Sequence, residues 1–314
     1  MGIETAEHRI GSGRAGLSLY LRNKRSGGDG QTLLLIHGAT YPGSGMFDHA
    51  VEGESWMDWL AARGFDVWCM DILGYGRSDR PPEMSVPAAD NGPIVDTEEA
   101  VRDVRLAVDF ICAERRVKHI DLLGYSWGTA ITGQVAGEIP EQIRRLVLYG
   151  ALWERLGTTQ IQVSGPLGAY RTVTAEAAAD RWVVKMTDAQ KTALAPWDRI
   201  VEWSKTIVAT DPDSGSQDPP VLRAPTGVVK DVTSYWLKGK PTYDPARIQA
   251  PTLVVVGEWD METTIEQGWD VYQRLTGAAQ RRYTVIGQGT HTLLLENHRH
   301  DLYRTVEEFL KQGL

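Results

Sequence analysis

Three residues of this 314-residue chain have the types and spacing that acyl transfer requires: Ser126, Asp260 and His291. Ser126 is the centre of Gly124-Tyr125-Ser126-Trp127-Gly128, a G-x-S-x-G run between a short apolar segment (residues 120–123) and a helix-like one. That strand-to-helix context is what a nucleophile elbow needs. The reason is steric: the turn is so sharp that its central residue is strained, and only residues without a Cβ fit beside it. The strain lifts the hydroxyl clear of the sheet.

A serine hydroxyl becomes a nucleophile only beside a base, and the base needs a carboxylate to orient it. After an elbow of this kind the partners follow in the order Ser, Asp/Glu, His, each just past a later strand. The apolar run 253–256 leads into Gly257-Glu258-Trp259-Asp260, and 282–286 leads into Gly287-Gln288-Gly289-Thr290-His291. Asp260 is therefore the expected acid, with Glu258 and Glu154 as competitors, and His291 is the expected base rather than His298 or His300. His8, His37, His49 and His119 are scattered without metal-ligand spacing, so no metal and no cofactor are expected. His37 reads as a structural hydrogen-bonder. Charge developing on the substrate oxygen needs two backbone N–H donors. One is expected from Trp127; the other comes from the loop after residues 32–36, with Ala39 preferred and Thr40 second.

The elements that must hold these residues can be read from apolar patterning. Residues 32–36, 65–70, 120–123 and 145–149 are short continuous apolar runs, as expected of strands buried on both faces. Between them lie helical spacings at 53–62 and, with Asp96 and Glu99 three apart as a capping signal, at 97–115. The elbow helix runs to about Glu138, before Pro140. Weaker strands are expected near 7–10 and 17–21. From 154 to 250 no comparable apolar strand is visible; helix-like pieces at 175–186 and 196–209 precede a Pro/Asp/Ser/Gly-rich stretch. After Pro251 the rhythm resumes with strand, helix (264–275), strand and a closing helix (300–312). Strand and helix in alternation predict an α/β fold with a mostly parallel sheet flanked by helices. The domain reading is one sheet domain, residues 1–153 and 251–314, interrupted by a mostly helical insertion, residues 154–250.

Composition is that of an ordinary globular protein, 42% hydrophobic and 24% charged. The net charge of −8, with no basic run, argues against nucleic-acid or anionic-membrane partners. Two cysteines, Cys69 and Cys112, lie in apolar predicted elements and read as reduced thiols. With no apolar leader at residues 1–10 and no apolar run long enough for a bilayer, a cytoplasmic location is expected.

The His-Gly turn at 37–38, the D-x-x-G-x-G-x-S loop at 71–78, the GYSWG elbow, the GEWD run and the late Gly-Thr-His together resemble the α/β-hydrolase superfamily, over about residues 30–153 and 250–314. The resemblance implies an α/β-hydrolase fold with residues 154–250 as a helical cap over the cleft. Haloalkane dehalogenases and epoxide hydrolases share the layout but carry aspartate where this chain has Ser126. Proline iminopeptidases are similar at Ser-Trp-Gly, but their HGGPG turn is replaced by His37-Gly38-Ala39-Thr40-Tyr41. Carbon–carbon bond hydrolases are similar too, yet their Ser-Met-Gly-Gly elbow is replaced by Ser126-Trp127-Gly128-Thr129. The expectation is a serine esterase acting on a small-molecule ester through an acyl-enzyme, with amide or C–C hydrolysis as alternatives. A non-catalytic ligand-binding relative is the remaining class.

The insertion supplies the substrate hints. It is rich in Trp and Tyr without Phe, and Trp182 and Trp203, with Tyr125 and Thr40, are the expected substrate contacts. Its 12 Lys and Arg against 11 Asp and Glu give one net positive charge, leaving nine negative charges on the remainder. A less acidic lid would tolerate an anionic aromatic ester, and bacterial monoalkyl phthalate hydrolases have a similar size and layout.

Overall fold

The computed structural model describes residues 2–28, 30–154 and 166–312. Its centre is the strands β3 (Gln31–Ile36), β4 (Phe65–Asp71), β5 (Ile120–Tyr125) and β6 (Ile143–Tyr149) with their neighbours, and the reason is visible in the apolar runs. In β3, Leu34 and Ile36 enter one hydrophobic cluster while Leu33 and Leu35 enter another. The same alternation recurs at Leu122/Leu123, Leu146/Val147 and Val254/Val255. Side chains of a strand point to opposite faces, so a strand apolar at every position must be covered on both sides.

The strands are β1 Glu4–Gly11, β2 Ser18–Arg25, β3 Gln31–Ile36, β4 Phe65–Asp71, β5 Ile120–Tyr125, β6 Ile143–Tyr149, β7 Tyr170–Thr174, β8 Val221–Pro225, β9 Thr252–Gly257 and β10 Arg281–Ile286. Eight of them form one sheet in the order β1-β2-β4-β3-β5-β6-β9-β10. β1 and β2 pair antiparallel and β2 joins β4 antiparallel; every other pairing is parallel. Parallel strands bring all their C-terminal ends to one edge. The loops after β3, β5, β9 and β10 therefore meet there.

The helices are α1 Gly43–Phe47, α2 Trp56–Ala62, α3 Thr97–Arg115, α4 Trp127–Glu138, α5 Ala175–Trp182, α6 Asp188–Leu194, α7 Trp197–Val208, α8 Gly227–Ser234, α9 Ile265–Arg274 and α10 Arg299–Lys311. Helix α3 starts where the capping signal lies, with the Asp96 side chain accepting from Glu99 N–H at 3.1 Å. Its buried positions Val101, Val104, Val108 and Ile111 form one stripe against the sheet. Helices α3, α4, α8 and α9 feed the first cluster, and α1, α2, α5, α7 and α10 the second.

Between β6 and β9 the structure departs from expectation. The insertion contains a strand pair, β7 with β8, antiparallel from Tyr170↔Pro225 to Thr174↔Val221. β8 lies inside the stretch that reads as irregular, and Pro225 ends it, where a missing N–H costs no ladder bond. The apolar residues of the insertion also extend the sheet's own clusters: Trp182 and Trp203 join one, Val228 and Trp236 the other.

The elbow shows why its glycines are glycines. A Cβ on Gly128 would lie 2.3 Å from the Ile36 carbonyl oxygen, and one on Gly124 would lie 2.3 Å from the Gly128 oxygen. Both obstacles are backbone. Gly128→Ala is expected to cost about 3 kcal/mol of stability by overpacking. A melting temperature within a degree of wild type, measured by calorimetry, would contradict this packing.

Candidate active site

Ser126 sits between the end of β5 and the start of α4 with φ 55° and ψ −120°. That is strained backbone for a residue with a Cβ, and several bonds hold it. Ser126 N–H donates to the Tyr149 carbonyl at 2.9 Å, and Thr129 returns its N–H and its hydroxyl to the Ser126 carbonyl at 2.8 and 2.6 Å. From the other side Gly38 comes so close that a Cβ there would lie 2.7 Å from Ser126 Cβ. The result is a serine whose side chain lines a cavity at the sheet edge.

His291 lines the same cavity. Its Nδ1 lies 2.7 Å from Asp260 Oδ2. Asp260 is buried and saturated: Oδ1 accepts from the N–H groups of Glu262 and Thr263 at 2.9 and 2.8 Å, and Oδ2 accepts from the Thr263 hydroxyl at 2.9 Å. Burial disfavours the imidazolium of His291, but the Asp260 carboxylate, joined by Glu262, outweighs it and raises the pKa above 6.5. The competing residues stand elsewhere. Glu258 is exposed and accepts from Gln288 N–H at 2.8 Å; His298 pairs with Asp301, and His300 with Glu54. No bond from Glu154 to His291 is present among the described residues.

The turn after β3 is pinned by His37, which is fully buried. Its Nε2 accepts from Ile72 N–H at 3.0 Å while Nδ1 faces the Gly38 carbonyl at 2.7 Å. Burial lowers its pKa to about 4, so the ring is neutral and its tautomer is set by these two partners. Ala39 and Trp127 both line the cavity, and neither backbone N–H has an acceptor among the described residues.

The insertion closes the cavity with residues in helical register. Ala178, Arg181 and Trp182 share one face of α5, Trp203 comes from α7, and Val228 and Val232 lie one turn apart on α8. Tyr125, Trp182 and Trp203, expected as substrate contacts, are in the wall. Thr40 is not. It is wholly buried at φ 82°, and its hydroxyl accepts from the Arg171 guanidinium, so its position next to the turn was misleading.

Residues that the sequence reading passed over also matter. Thr263 braces Asp260, and its signal is the Asp-x-x-Thr spacing of 260–263. Arg181 grips Glu262 with two bonds of 2.7 and 2.5 Å, tying α5 to the loop that carries Asp260. Tyr41 also lines the wall. Glu296, fully buried, accepts from Trp182 Nε1 at 2.8 Å and from Thr290 N–H at 3.0 Å.

Burial pushes the Glu296 carboxyl up to about 7, although the Thr290 and Trp182 donors favour its charged form. A carboxyl raised on folding stabilises the protein below its ordinary value of 4.5, and that contribution disappears as pH rises through about 7. Glu296→Gln should flatten the fall in melting temperature between those values. A variant whose profile keeps the wild-type slope would place the titration elsewhere.

The family model described as "Serine aminopeptidase, S33" matches residues 37–298. Over 133 residues, 42% of this chain, the sequence is 31% identical to an uncharacterized protein of Mycobacterium tuberculosis and 33% identical to the serine hydrolase BPHL of Mus musculus. Those stretches cover 32% and 40% of the two relatives, so the chain matches less than half their length. Among solved structures, the 2-hydroxy-6-oxo-6-phenylhexa-2,4-dienoate hydrolase of a Rhodococcus species superposes with a TM-score of 0.63. It is 18% identical, with 99% of this chain and 100% of that one covered, a likeness of fold.

Proposed function

Because the chain belongs to the serine aminopeptidase family of α/β-hydrolases, we propose that it is a serine hydrolase cleaving the carboxylic ester of a small, largely apolar molecule. The observation that carries this reading is the 2.7 Å contact of buried Asp260 with His291, which lines the same cavity as the strained, half-buried Ser126. In this reading residues 154–250 are the cap, and residues 1–153 and 251–314 the core. Ser126 Oγ attacks the ester carbonyl as His291 takes its proton, and the Ala39 and Trp127 N–H groups hold the oxyanion. His291 then protonates the departing alcohol. Water, deprotonated by the same ring, releases the acid and restores Ser126.

The family's name raises amide hydrolysis as a second reading. An aminopeptidase needs an acid to hold the substrate's amine, and the acid in this wall, Glu262, is gripped in bidentate fashion by Arg181. That favours the ester. The same pair weakens the case for an anionic substrate, because Arg181 is the one Lys or Arg among the described residues of the wall. The phthalate-monoester resemblance therefore gains no support from the cavity.

A fluorophosphonate tests the reading directly. Mass spectrometry of the digested protein should find one adduct, on the peptide carrying Ser126. Labelling of another serine, or of none, would refute the assignment.

A further inference from the structure

Two residues of the cavity wall carry polar atoms that nothing among the described residues satisfies. Tyr41 Oη and Trp203 Nε1 are both shielded from solvent and both lack a hydrogen-bond partner among the described residues. The residues are neighbours, since the two rings meet edge to face with centroids 5.0 Å apart. Both residues line the same cavity as Ser126 and His291. Buried polar groups are nearly always paired, so two unpaired ones on adjacent rings of a cavity wall ask for a ligand.

We propose that Tyr41 and Trp203 form a subsite for an uncharged oxygen acceptor of the substrate, a ketone or ether oxygen separate from the scissile ester. This rests on the ester-hydrolase reading and names the substrate class that reading leaves open. An indole N–H can only donate, so its partner must be an acceptor. The phenol O–H is a second donor on the adjacent ring. The packing around them is apolar: Trp203 is 2% exposed and meets Trp182 edge to face with centroids 5.0 Å apart.

Charge decides between a neutral and an anionic acceptor. Arg181 is occupied by Glu262. Arg171 has no carboxylate partner among the described residues, but it donates to the Pro225 carbonyl and the Thr40 hydroxyl and does not line the cavity. Two neutral donors do not compensate the desolvation of a carboxylate, whereas they fully satisfy a carbonyl oxygen.

The test compares p-nitrophenyl esters of 4-oxopentanoic, 5-oxohexanoic and 6-oxoheptanoic acids with analogues in which the keto oxygen is replaced by a methylene. A matching pair on the alcohol side is 3-oxobutyl acetate against 3-methylbut-3-enyl acetate. Mono-p-nitrophenyl succinate and glutarate supply the anionic arm. At least one keto ester should exceed its isostere in kcat/KM by about tenfold or more, the worth of satisfying a buried donor. That ratio should collapse towards one in Tyr41→Phe and fall in Trp203→Phe. Tyr41→Phe should melt no lower than wild type, because removing an unpaired buried hydroxyl leaves nothing unsatisfied; a hydroxyl with a structural role would lower the melting temperature. Ratios near one for every wild-type pair, or a ratio untouched in Tyr41→Phe, would overturn the subsite. Preference for the anionic esters would overturn its neutrality. Hydrolysis of every ester at the Ser126→Ala rate is a different failure, that of the serine-esterase reading itself.

Discussion

Ser126→Ala should lower turnover of p-nitrophenyl acetate and butyrate by about four to six orders of magnitude while leaving the fold intact. The size follows from what the hydroxyl does in the proposed mechanism. Without Oγ there is no acyl-enzyme, and what remains is the binding and oxyanion stabilisation of an enzyme whose nucleophile is gone. The fold should survive because the elbow is held by backbone rather than by the hydroxyl: Ser126 N–H bonds to Tyr149, and its carbonyl accepts from Thr129. Alanine keeps the Cβ that packs near Gly38 and tolerates the positive φ no worse than serine does. The two proteins should therefore melt together and differ only in rate. Equal rates would move the chain from the enzymes to the ligand-binding members of this architecture, and a lowered melting temperature would leave the rate loss open to a trivial cause, which circular dichroism at the assay temperature resolves.

The parallel core was legible because its signals are local. An unbroken apolar run such as β3 or β9 has to be buried on both faces, and alternation of such runs with helices leaves little choice of topology. The order of Ser126, Asp260 and His291 was legible for the same reason: each follows a strand whose end the sequence marks. The insertion was harder to read. β7 and β8 pair across 46 intervening residues, half-exposed Tyr170–Thr174 carries no apolar run, and β8 ends in a proline. Which aromatics face the cavity depends on helical phase. Trp197 and Trp203 are six residues apart on α7, about 240° round the axis, so Trp203 is buried in the wall while Trp197 is 51% exposed. Thr40 shows the opposite difficulty. Its place beside Ala39 suggested the cavity, but the direction of its side chain is set by a positive φ that no residue type announces. The Arg181–Glu262 pair joins residues 81 apart, and nothing in either neighbourhood marks it.

The second large effect concerns the acid. Asp260→Asn should reduce kcat by about 10⁴ without unfolding the protein. The native carboxylate accepts all four of its bonds, from the Glu262 and Thr263 amides, the Thr263 hydroxyl and His291 Nδ1. An asparagine placed there with its oxygen towards the two amides presents its NH2 to the ring. Nδ1 then becomes an acceptor, the proton moves to Nε2, and the nitrogen meant to take the Ser126 proton already carries one. The pH profile provides an independent check. The base must be neutral to act, so kcat/KM rises with pH through the His291 pKa, and Asp260 places that limb above 6.5 in the wild type. With the carboxylate removed, burial is left to oppose the imidazolium, and the limb should move to lower pH even as the plateau falls. Stability shifts in the matching sense: the wild type gains from the raised pKa at low pH and loses that gain as pH rises through it, so the variant's deficit should be largest in acid. A surface acid would change neither the plateau nor the limb. If Asp260→Asn stays within tenfold of wild type while Glu154→Gln is crippled, the orienting carboxylate lies after β6 rather than after β9, and the 2.7 Å contact is structural.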